Sequence, residues 1–486
     1  MKTEQKLFAV LDQGSSGSRA FIVNDKGEIV YRKHKELTAS HKGPGMAEYD
    51  GNELLENQVS TLKEVLAQLA PGENVESISV TSQRSTIVLW DKETGLPVAP
   101  VLTWQDGRAA QIAQEVSLSQ EKIHAITGLY KTPFYSAGKI TWCLKNVPSA
   151  KEAADKGTLL IAPVASFIIW HLTNKKTFAT DPTLAQRTLL FNINTFNWDK
   201  ELADAFEVPL CALPEIKNTL DNYGSFDGVP IKVCAGDQQA ATVGIGMDKE
   251  GDCCINYGTG AFLLVSTGST LKNIEGLLTS VGPTTAQNTR NFILEGPVNA
   301  AGAIFQWLNS AGINFDLNDI DEMYSAAKNP VMFLPAFGGL GAPYWDFTVP
   351  TVISNLTSAT KKEDFVAGAV RSLAFMIADI AFYLKMNSVV MNEVMVSGGF
   401  ARNQSLLKFQ SDILQQKLLL NTEHETTALG AMCLAAREAR INTAVWDLFN
   451  AHKEYVPEIT PQDAQALYAR WHSFHDWCRH YNTNKF

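Results

Sequence analysis

The 486-residue chain is longer than one ordinary hydrophobic core accommodates, so two large domains are expected. Its formal net charge of −10 argues against broad nucleic-acid binding, which needs a surface rich in Lys and Arg. The opening residues MKTEQKLFAV lack the apolar core of a signal peptide, and the longest nearly apolar run, 159–170, is interrupted by Pro163 and too short for a membrane span. Seven scattered cysteines without CxxC pairs fit reduced thiols, so we expect a soluble cytoplasmic protein without a membrane partner.

The first predicted elements are strands joined by tight turns, at residues 7–11, 20–23 and 28–31. Apolar residues then recur with helical spacing over 53–69, and a short strand pattern follows at 78–81. Strands and helices alternate from there, which is typical of an α/β protein.

The second half of the chain repeats the opening pattern. Over 253–267, a strand, the turn Tyr257-Gly258-Thr259-Gly260 and another strand are similar to the first hairpin, which indicates two similarly built halves. The polar run 248–252 separates these halves, so we predict domains at 1–247 and 248–486. The remaining patterns predict a long helix at 365–384, a strand at 394–396 and an aromatic-rich helix at 461–481.

Two glycine-containing turns have a composition suited to phosphate. In the first hairpin, the segment 12–19 combines hydroxyls and glycines with Asp12, which could orient Mg²⁺ through water, and with Arg19, which could neutralise phosphate charge. The turn around Thr259 offers the same kind of backbone. An ordinary polar hairpin turn has a similar composition, and the first motif alone does not decide between these interpretations.

Two other segments join the end of a strand to a helix. The Gly398-Gly399 turn has a shape suited to the flat face of a nucleoside, although a simple strand–helix connection would read the same way. Asp237 follows a strand that ends at Gly236, where a carboxylate could accept a hydroxyl proton while the helix N-terminus keeps it ionised. For an isolated Asp at this position, a helix N-cap is the preferred interpretation.

A third kind of segment fits a small polyhydroxylated ligand, which needs planar hydrogen-bonding groups and an aromatic wall. Three such segments are Gln83-Arg84, Trp104-Gln105-Asp106 and Phe134-Tyr135, although each residue alone is more often core or surface. The HExxH, GxxxxGK[ST] and GxSxG patterns are absent, and no GxGxxG follows a strand, so the zincin, P-loop, α/β-hydrolase and Rossmann dehydrogenase classes have no direct support.

Taken in order, these motifs make the chain resemble the FGGY carbohydrate kinase family, and within it the glycerol kinase branch. The resemblance spans residues 7 to about 440. Ten segments carry it: LDQGSSGSRA (11–20), TSQRSTIVLWDKETG (81–95), TWQDGR (103–108), TDPTLAQRTLLFNI (180–193), AGDQQAA (235–241), NYGTGAFLL (256–264), LEGPVNAAGAIFQWL (294–308), FGGLGAPYWD (337–346), FQSDIL (409–414) and ETTALGA (425–431).

The resemblance implies an α/β fold of two actin-like ATPase (ribonuclease H-like) domains flanking a catalytic cleft. The first domain would bind mainly the acceptor, a small polyol or sugar, and the second mainly ATP. The resemblance also suggests a homodimer or homotetramer. By position, Asp237 would be the general base and Asp12 would organise Mg²⁺. The nucleotide would contact Ser15, Ser16, Arg19, Thr259, Gly302, Gln306, Gly399 and Asn403. The acceptor pocket would comprise Arg84, Ser85, Trp104, Phe134, Asp237, Gln238 and Phe262.

Three departures from the glycerol kinase pattern bear on the substrate. Ser85 stands where glycerol kinases have Glu, and Phe134 stands where they have Tyr, while Tyr135 is expected to face the opposite way from Phe134. The loss of two polar groups indicates an acceptor other than glycerol, and a larger one, because sites that bond a hydroxyl discriminate strongly. The segment 222–228 is acidic and lacks the Arg of a phosphosugar-binding loop, so no such regulation is expected.

The alternatives are of different classes. Ser85 together with water could still serve glycerol, which would make the chain a glycerol kinase proper. An actin-like ATPase without a small-molecule acceptor would share the phosphate hairpins but not the segments 81–108 and 235–241. An inactive sugar sensor is disfavoured because Asp12, Asp237 and Thr259 are all intact.

Overall fold

The computed structural model describes residues 5–247, 249–285, 289–423, 425–439 and 452–482. The strands are β1 (Leu7–Gln13), β2 (Gly17–Asn24), β3 (Ile29–Glu36), β4 (Glu48–Tyr49), β5 (Val75–Ser82), β6 (Ile87–Asp91), β7 (Val101–Leu102), β8 (Leu159–Pro163), β9 (Ala179–Thr180), β10 (Phe191–Asn192), β11 (Asn197–Trp198), β12 (Glu215–Ile216), β13 (Ser225–Phe226), β14 (Val229–Gly236), β15 (Cys253–Tyr257), β16 (Ala261–Gly268), β17 (Leu278–Val281), β18 (Phe292–Val298), β19 (Met332–Leu334), β20 (Val352–Ser354), β21 (Val394–Ser397), β22 (Leu418–Asn421) and β23 (His452–Tyr455).

The helices connect and cover these strands. They are α1 (Gly51–Leu66), α2 (Ala110–Glu115), α3 (Gln120–Thr127), α4 (Ser136–Asn146), α5 (Pro148–Asp155), α6 (Val164–Leu172), α7 (Pro182–Gln186), α8 (Lys200–Ala205), α9 (Asp237–Gly244), α10 (Gly302–Ser310), α11 (Ile320–Ala326), α12 (Lys362–Met386), α13 (Gln404–Leu414), α14 (Thr426–Glu438) and α15 (Pro461–Asn482).

The two large sheets have the same strand order. In the first, β3, β2 and β1 form an antiparallel ribbon, and β5 and β14 continue it parallel to β1. In the second, β18, β16 and β15 form the ribbon, and β21 and β22 continue it parallel to β15. The two similarly built halves predicted from the hairpins are therefore confirmed. The proposed boundary at residue 248 lies outside the described residues.

Burial explains which elements the sequence predicted well. All seven residues of β1 are buried, as expected of a strand between two others beneath helices. β3 extends beyond the predicted 28–31, to Glu36; its second half is charged, and exposed residues alternate with half-buried ones, as on the edge of a sheet. Among the described helices, α12 is long and apolar enough to cross a membrane, but 83% of its most apolar stretch is buried inside the protein. α12 is therefore placed as a core helix.

Helices α9 and α14 cross where the two halves of the chain meet. A Cβ atom at Gly430 would overlap the Ala240 carbonyl oxygen, and one at Gly244 would overlap the Thr426 carbonyl oxygen, so the two backbones touch. Although α14 belongs to the second half by sequence, it packs on the first sheet, and Ser79 Oγ donates to the Ala431 carbonyl at 3.1 Å. This crossing brings the ends of β1 and β14 beside the second half.

Candidate active site

The first hairpin presents a buried carboxylate below an exposed turn. Asp12, at the end of β1, is 1% exposed. Its Oδ1 accepts from Thr81 Oγ1 at 2.8 Å, and its Oδ2 accepts from Arg19 Nη2 at 2.5 Å and Nε at 3.1 Å. Ser15 and Ser16 lie exposed at the tip of the turn. The hairpin thus places two hydroxyl-bearing residues, a guanidinium and a carboxylate within one turn of chain.

Arg19 also reaches the second half of the chain. Its Nη1 donates to Glu425 Oε2 at 3.0 Å, just before α14 begins at Thr426. Thr427 Oγ1, one residue into that helix, donates to the Asp237 carbonyl oxygen at 3.4 Å. The first hairpin, through Arg19, and the start of α9, through Asp237, therefore both contact residues 425–427.

Asp237 is the first residue of α9, directly after β14. Gly236 occupies the N-cap position, and the Asp237 carboxylate accepts from the Gln238 backbone N–H at 2.7 Å. Asp237 is therefore inside the helix and is not its N-cap residue, although its carboxylate still accepts from the second residue of the helix. Burial raises the pKa of Asp237 to about 6; Arg84 lowers it, and the Asp12 carboxylate raises it.

Several predicted acceptor residues converge beside Asp237. One Arg84 nitrogen, Nη2, hydrogen-bonds Gln238 Oε1, and another, Nη1, lies 3.3 Å from Glu295 Oε1. Trp104 donates from Nε1 to Ser15 Oγ at 3.1 Å, which places its indole beside the phosphate hairpin. Arg84 and Gln238 thus lie together beside Asp237, and Trp104 lies beside the tip of the first hairpin.

Ser85 is held in an uncommon backbone conformation. Its φ angle is +62°, in the left-handed region that residues other than glycine seldom adopt. Its carbonyl oxygen accepts from Ser136 Oγ and from Lys139 Nζ, both at 3.1 Å. Lys139 also donates to the Thr103 carbonyl at 2.5 Å, so one buried lysine supports both acceptor segments from behind. Burial lowers the pKa of Lys139 to about 7.

The other two aromatic residues of the predicted pocket, Phe134 and Phe262, come from different halves of the chain. Phe134 is 49% exposed. Its ring lies next to Gly107, since a Cβ atom built on that glycine would be 3.9 Å from the ring. Phe134 therefore borders the segment 103–108, which contains Trp104. Phe262, on β16, stands opposite Pro297 of β18, on the face of the sheet that also carries Glu295. Tyr135 is half-buried, unlike the exposed Phe134, and lies within hydrogen-bonding reach of Arg187.

The predicted nucleotide residues of the second half also come together. The Thr259 carbonyl accepts from Ala301 N–H at 2.9 Å, and Gly302 N–H donates to the Gly258 carbonyl at 3.0 Å, so α10 begins against the hairpin turn. A Cβ atom at Gly302 would lie 2.8 Å from the Phe400 ring, next to Gly399. Further residues lie on the adjoining helices, with Gln306 exposed one turn into α10 and Asn403 at the N-cap of α13.

Space for a flat ligand is present beside Gly399. A Cβ atom at Gly399 would meet no atom within 4 Å, whereas Gly398, at φ +98°, packs directly on the Tyr257 backbone. A cavity of about 450 Å³ borders this turn. Its lining residues are Asn256, Ser397, Gly398, Gly399, Arg402, Leu420, Asn421, Thr422, Glu423 and Thr426. The residues present therefore fit a nucleoside.

The described residues contain no cluster of three His, Cys, Asp or Glu side chains that could hold a metal ion. Proteins commonly hold Mg²⁺ through one or two carboxylates, with phosphates and water as the other ligands. The single buried Asp12 beneath the hydroxyls of the hairpin is compatible with that kind of site.

Sequence reasoning missed three charged residues of this region. Arg187, Glu295 and Lys139 are buried, and each bonds a segment named above. Glu295 lies within the otherwise uncharged strand FILEGPV, and Lys139 lies on a helix face that is buried throughout. A charged residue inside an apolar pattern is a signal for a buried ion pair, and it could have singled out Glu295.

Comparisons with known proteins agree with this arrangement. Residues 7–244 match the N-terminal domain, and residues 253–439 the C-terminal domain, of the FGGY family of carbohydrate kinases. A glycerol kinase of Shewanella sp. (strain W3-18-1) is 37% identical over 487 residues, covering 96% of this chain and 98% of its own.

Solved structures share the fold. The crystal structure of Plasmodium falciparum glycerol kinase with ADP superposes with a TM-score of 0.92 at 27% identity, covering 97% of this chain and 98% of that one. A xylulose kinase of Lactobacillus acidophilus shares the fold at a TM-score of 0.85 and 22% identity, covering 99% of each chain. The predicted α/β fold of two actin-like domains is confirmed. The chain belongs to the FGGY family of carbohydrate kinases, which are phosphotransferases with an alcohol group as acceptor.

Proposed function

We propose that this kinase transfers the γ-phosphoryl group of ATP to a hydroxyl of a small polyol or sugar other than glycerol, with Asp237 as the general base. The observation that carries the proposal is the position of Asp237, within electrostatic reach of Arg84 on one side and of Asp12 and Arg19 on the other. A carboxylate with a pKa of about 6 is ionised at neutral pH yet basic enough to take a hydroxyl proton.

In this reaction the protein contributes positioning and charge more than covalent chemistry. Ser15, Ser16, Arg19 and Thr259 would hold the phosphates, and Asp12 would hold the Mg²⁺ that accompanies them. Mg-ATP supplies the phosphoryl group and neutralises its charge. The nucleoside lies against Gly302, Gln306, Gly399 and Asn403. The residues that hold the acceptor are Arg84, Ser85, Trp104, Phe134, Gln238 and Phe262. This assignment makes 1–247 mainly the acceptor domain and 248–486 mainly the nucleotide domain.

The choice of an acceptor other than glycerol rests on Ser85 and Phe134. Ser85 offers one short hydroxyl where glycerol kinases have a carboxylate, and its carbonyl is already bonded by Ser136 and Lys139. Phe134 brings no hydroxyl to its exposed position. A pocket that lacks these two polar groups loses affinity for the hydroxyls they would bond and gains volume. A polyol or ketose longer than glycerol suits both changes.

A second candidate is glycerol kinase itself. The 37% identity to Shewanella glycerol kinases over 96% of the chain favours it. An actin-like ATPase without an acceptor is a more distant candidate. The grouping of Arg84 and Gln238 beside Asp237, with Trp104 beside the first hairpin, counts against it.

The test is an ADP-release assay over glycerol, erythritol, pentitols, pentuloses and hexuloses, with wild-type protein and an Asp237→Asn control. We expect the highest kcat/KM with an acceptor longer than glycerol. The highest kcat/KM with glycerol would support the second candidate. ADP release that is independent of every acceptor would contradict the kinase assignment of the site.

A further inference from the structure

Two arginines of the first half share one carboxylate of the second. Glu295, on β18, is 3% exposed. Its Oε1 accepts from Arg187 Nη2 at 2.7 Å and lies 3.3 Å from Arg84 Nη1. Although burial alone would raise the pKa of Glu295, Arg187 and Arg84 hold it at about 2, so the group is a carboxylate at any working pH. The acceptor-side Arg84 is therefore bonded across the boundary between the two halves.

Of the two arginines, Arg187 is the fixed one. It directly follows α7, whose last residue, Gln186, donates to the Thr127 carbonyl at 2.7 Å and to the Thr279 carbonyl at 2.6 Å. Gln186 Oε1 also accepts from Val281 N–H at 2.8 Å, and Arg187 itself bonds Ser280 Oγ. This segment is thus tied to β17 at several points.

Arg84 is held less tightly. Its bond to Glu295 is 3.3 Å long, and its other bond is to Gln238, which is exposed. Hydroxyls of an acceptor could therefore replace the bond to Gln238 while Glu295 keeps the guanidinium in place. Without the Glu295 carboxylate, the positive charges of Arg84 and Arg187 would repel each other, because the two guanidinium groups are close enough to interact in a buried site.

The strand that carries Glu295 leads directly to the nucleotide residues. β18 ends at Val298, and Ala301 N–H then bonds the Thr259 carbonyl before α10 begins at Gly302. All seven residues of β18 are buried, so the strand is packed along its length. A continuous buried strand thus links Glu295 to the turn around Thr259.

We propose that Glu295 is a positioning residue that orients Arg84 for the acceptor and couples acceptor binding to nucleotide binding through β18. The inference rests on the proposed function, since it takes Arg84 as an acceptor residue. It predicts that acceptor and nucleotide bind cooperatively, and that this cooperativity depends on the Glu295 carboxylate. Such coupling is reciprocal, so each ligand would tighten the other by the same factor.

The test compares wild type with Glu295→Gln, using as matched control Glu250→Gln, which alters an exposed carboxylate of the same half. The dissociation constant of a non-hydrolysable ATP analogue is measured with and without the best acceptor, together with KM and kcat. In wild type and the control, we expect the acceptor to tighten analogue binding by roughly 5–150-fold, the usual range of such coupling. In Glu295→Gln, we expect a coupling factor near 1, a raised acceptor KM and unchanged analogue binding in the absence of acceptor.

A second variant guards against loss of folding, because leaving two buried arginines without a carboxylate is destabilising. The double variant Glu295→Gln/Arg187→Met leaves one arginine and the net charge of the wild-type cluster. We expect it to fold and still lack coupling. If either variant showed the same coupling factor as wild type, the role proposed for Glu295 would be overturned, while the proposed function would stand. A wild type that turns over no acceptor would overturn the proposed function, and this inference with it.

Discussion

Asp237→Asn should lower the catalytic rate by orders of magnitude and at the same time stabilise the protein at neutral pH. Asn keeps the size of the side chain and an oxygen that can accept from the Gln238 N–H, which lies 2.7 Å from the Asp237 carboxylate. It removes only the charge and the ability to take a proton. If Asp237 were merely a helix cap, Asn would serve as well and neither property would change much.

The expected magnitudes follow from the pKa of Asp237, which is about 6 in the folded protein against an ordinary value of 3.8. Because the folded pKa is the higher one, the folded state binds more protons between about pH 4 and pH 6, so stability falls as the pH rises through that window. Above pH 6 the half-buried Asp237 carboxylate lowers the free energy of unfolding by at most about 3 kcal/mol, at 1.36 kcal/mol per pKa unit. Asn avoids this cost. Loss of a general base lowers the rate by roughly 10²–10⁴-fold.

The assay measures thermal midpoints of wild type and Asp237→Asn from pH 5 to pH 8, together with acceptor-dependent ADP release. The variant's midpoint should exceed that of wild type at pH 7.5, and the difference should shrink towards pH 5. In wild type, kcat/KM should fall about tenfold per pH unit below the pKa of Asp237. A variant with wild-type turnover, or one that is less stable at pH 7.5, would refute the reasoning.

Four further outcomes are expected. Ser85→Glu combined with Phe134→Tyr should raise kcat/KM for glycerol by roughly 10–100-fold relative to the preferred acceptor, because both groups can bond hydroxyls. Gly399→Ala should raise the KM for ATP roughly tenfold, equivalent to about 1.4 kcal/mol, because its methyl group would occupy the space proposed for the nucleoside. Trp471→Ala should lower the free energy of unfolding by about 3–5 kcal/mol, because the indole is buried and stacks on Phe375. Sugar phosphates should not inhibit, because the segment 222–228 lacks Arg.

Each of these outcomes has a result that contradicts it. If the double variant left the ratio of kcat/KM for glycerol to kcat/KM for the longer acceptor unchanged, Ser85 and Phe134 would not set specificity. Gly399→Ala should leave the thermal midpoint unchanged, since its Cβ meets no protein atom within 4 Å, and a lowered midpoint would point to a packing effect. A Trp471→Ala protein of normal stability would show that the C-terminal helix is not docked as described. Inhibition by a sugar phosphate would show an anion site elsewhere.

The sequence was informative where local chemistry dictates structure. The apolar run 7–11, the turn at Thr259 and the helical spacing over 365–384 each predicted an observed element, because hydrophobic patterning and turn composition are local properties. The resemblance to a family then assigned roles that no single residue could reveal. Asp237 is the clearest case, since an Asp after a strand normally reads as a cap.

What could not be read from the sequence depends on pairing across the molecule. Glu295 is more than a hundred positions from Arg187 and more than two hundred from Arg84, so their shared contact has no local pattern. The left-handed backbone of Ser85 is likewise held by Ser136 and Lys139, some fifty positions away. Such features arise only when tertiary contacts impose a conformation that local preference disfavours.

The most direct measurement of the central claim is a competition experiment. Glycerol, erythritol, a pentitol, a pentulose and a hexulose are mixed at equal concentration with ATP, and the initial phosphorylated products are quantified by mass spectrometry. The product ratio equals the ratio of kcat/KM values, independently of each separate KM. We expect the phosphate of a longer polyol or ketose to dominate. Glycerol phosphate as the main product would contradict the proposed specificity.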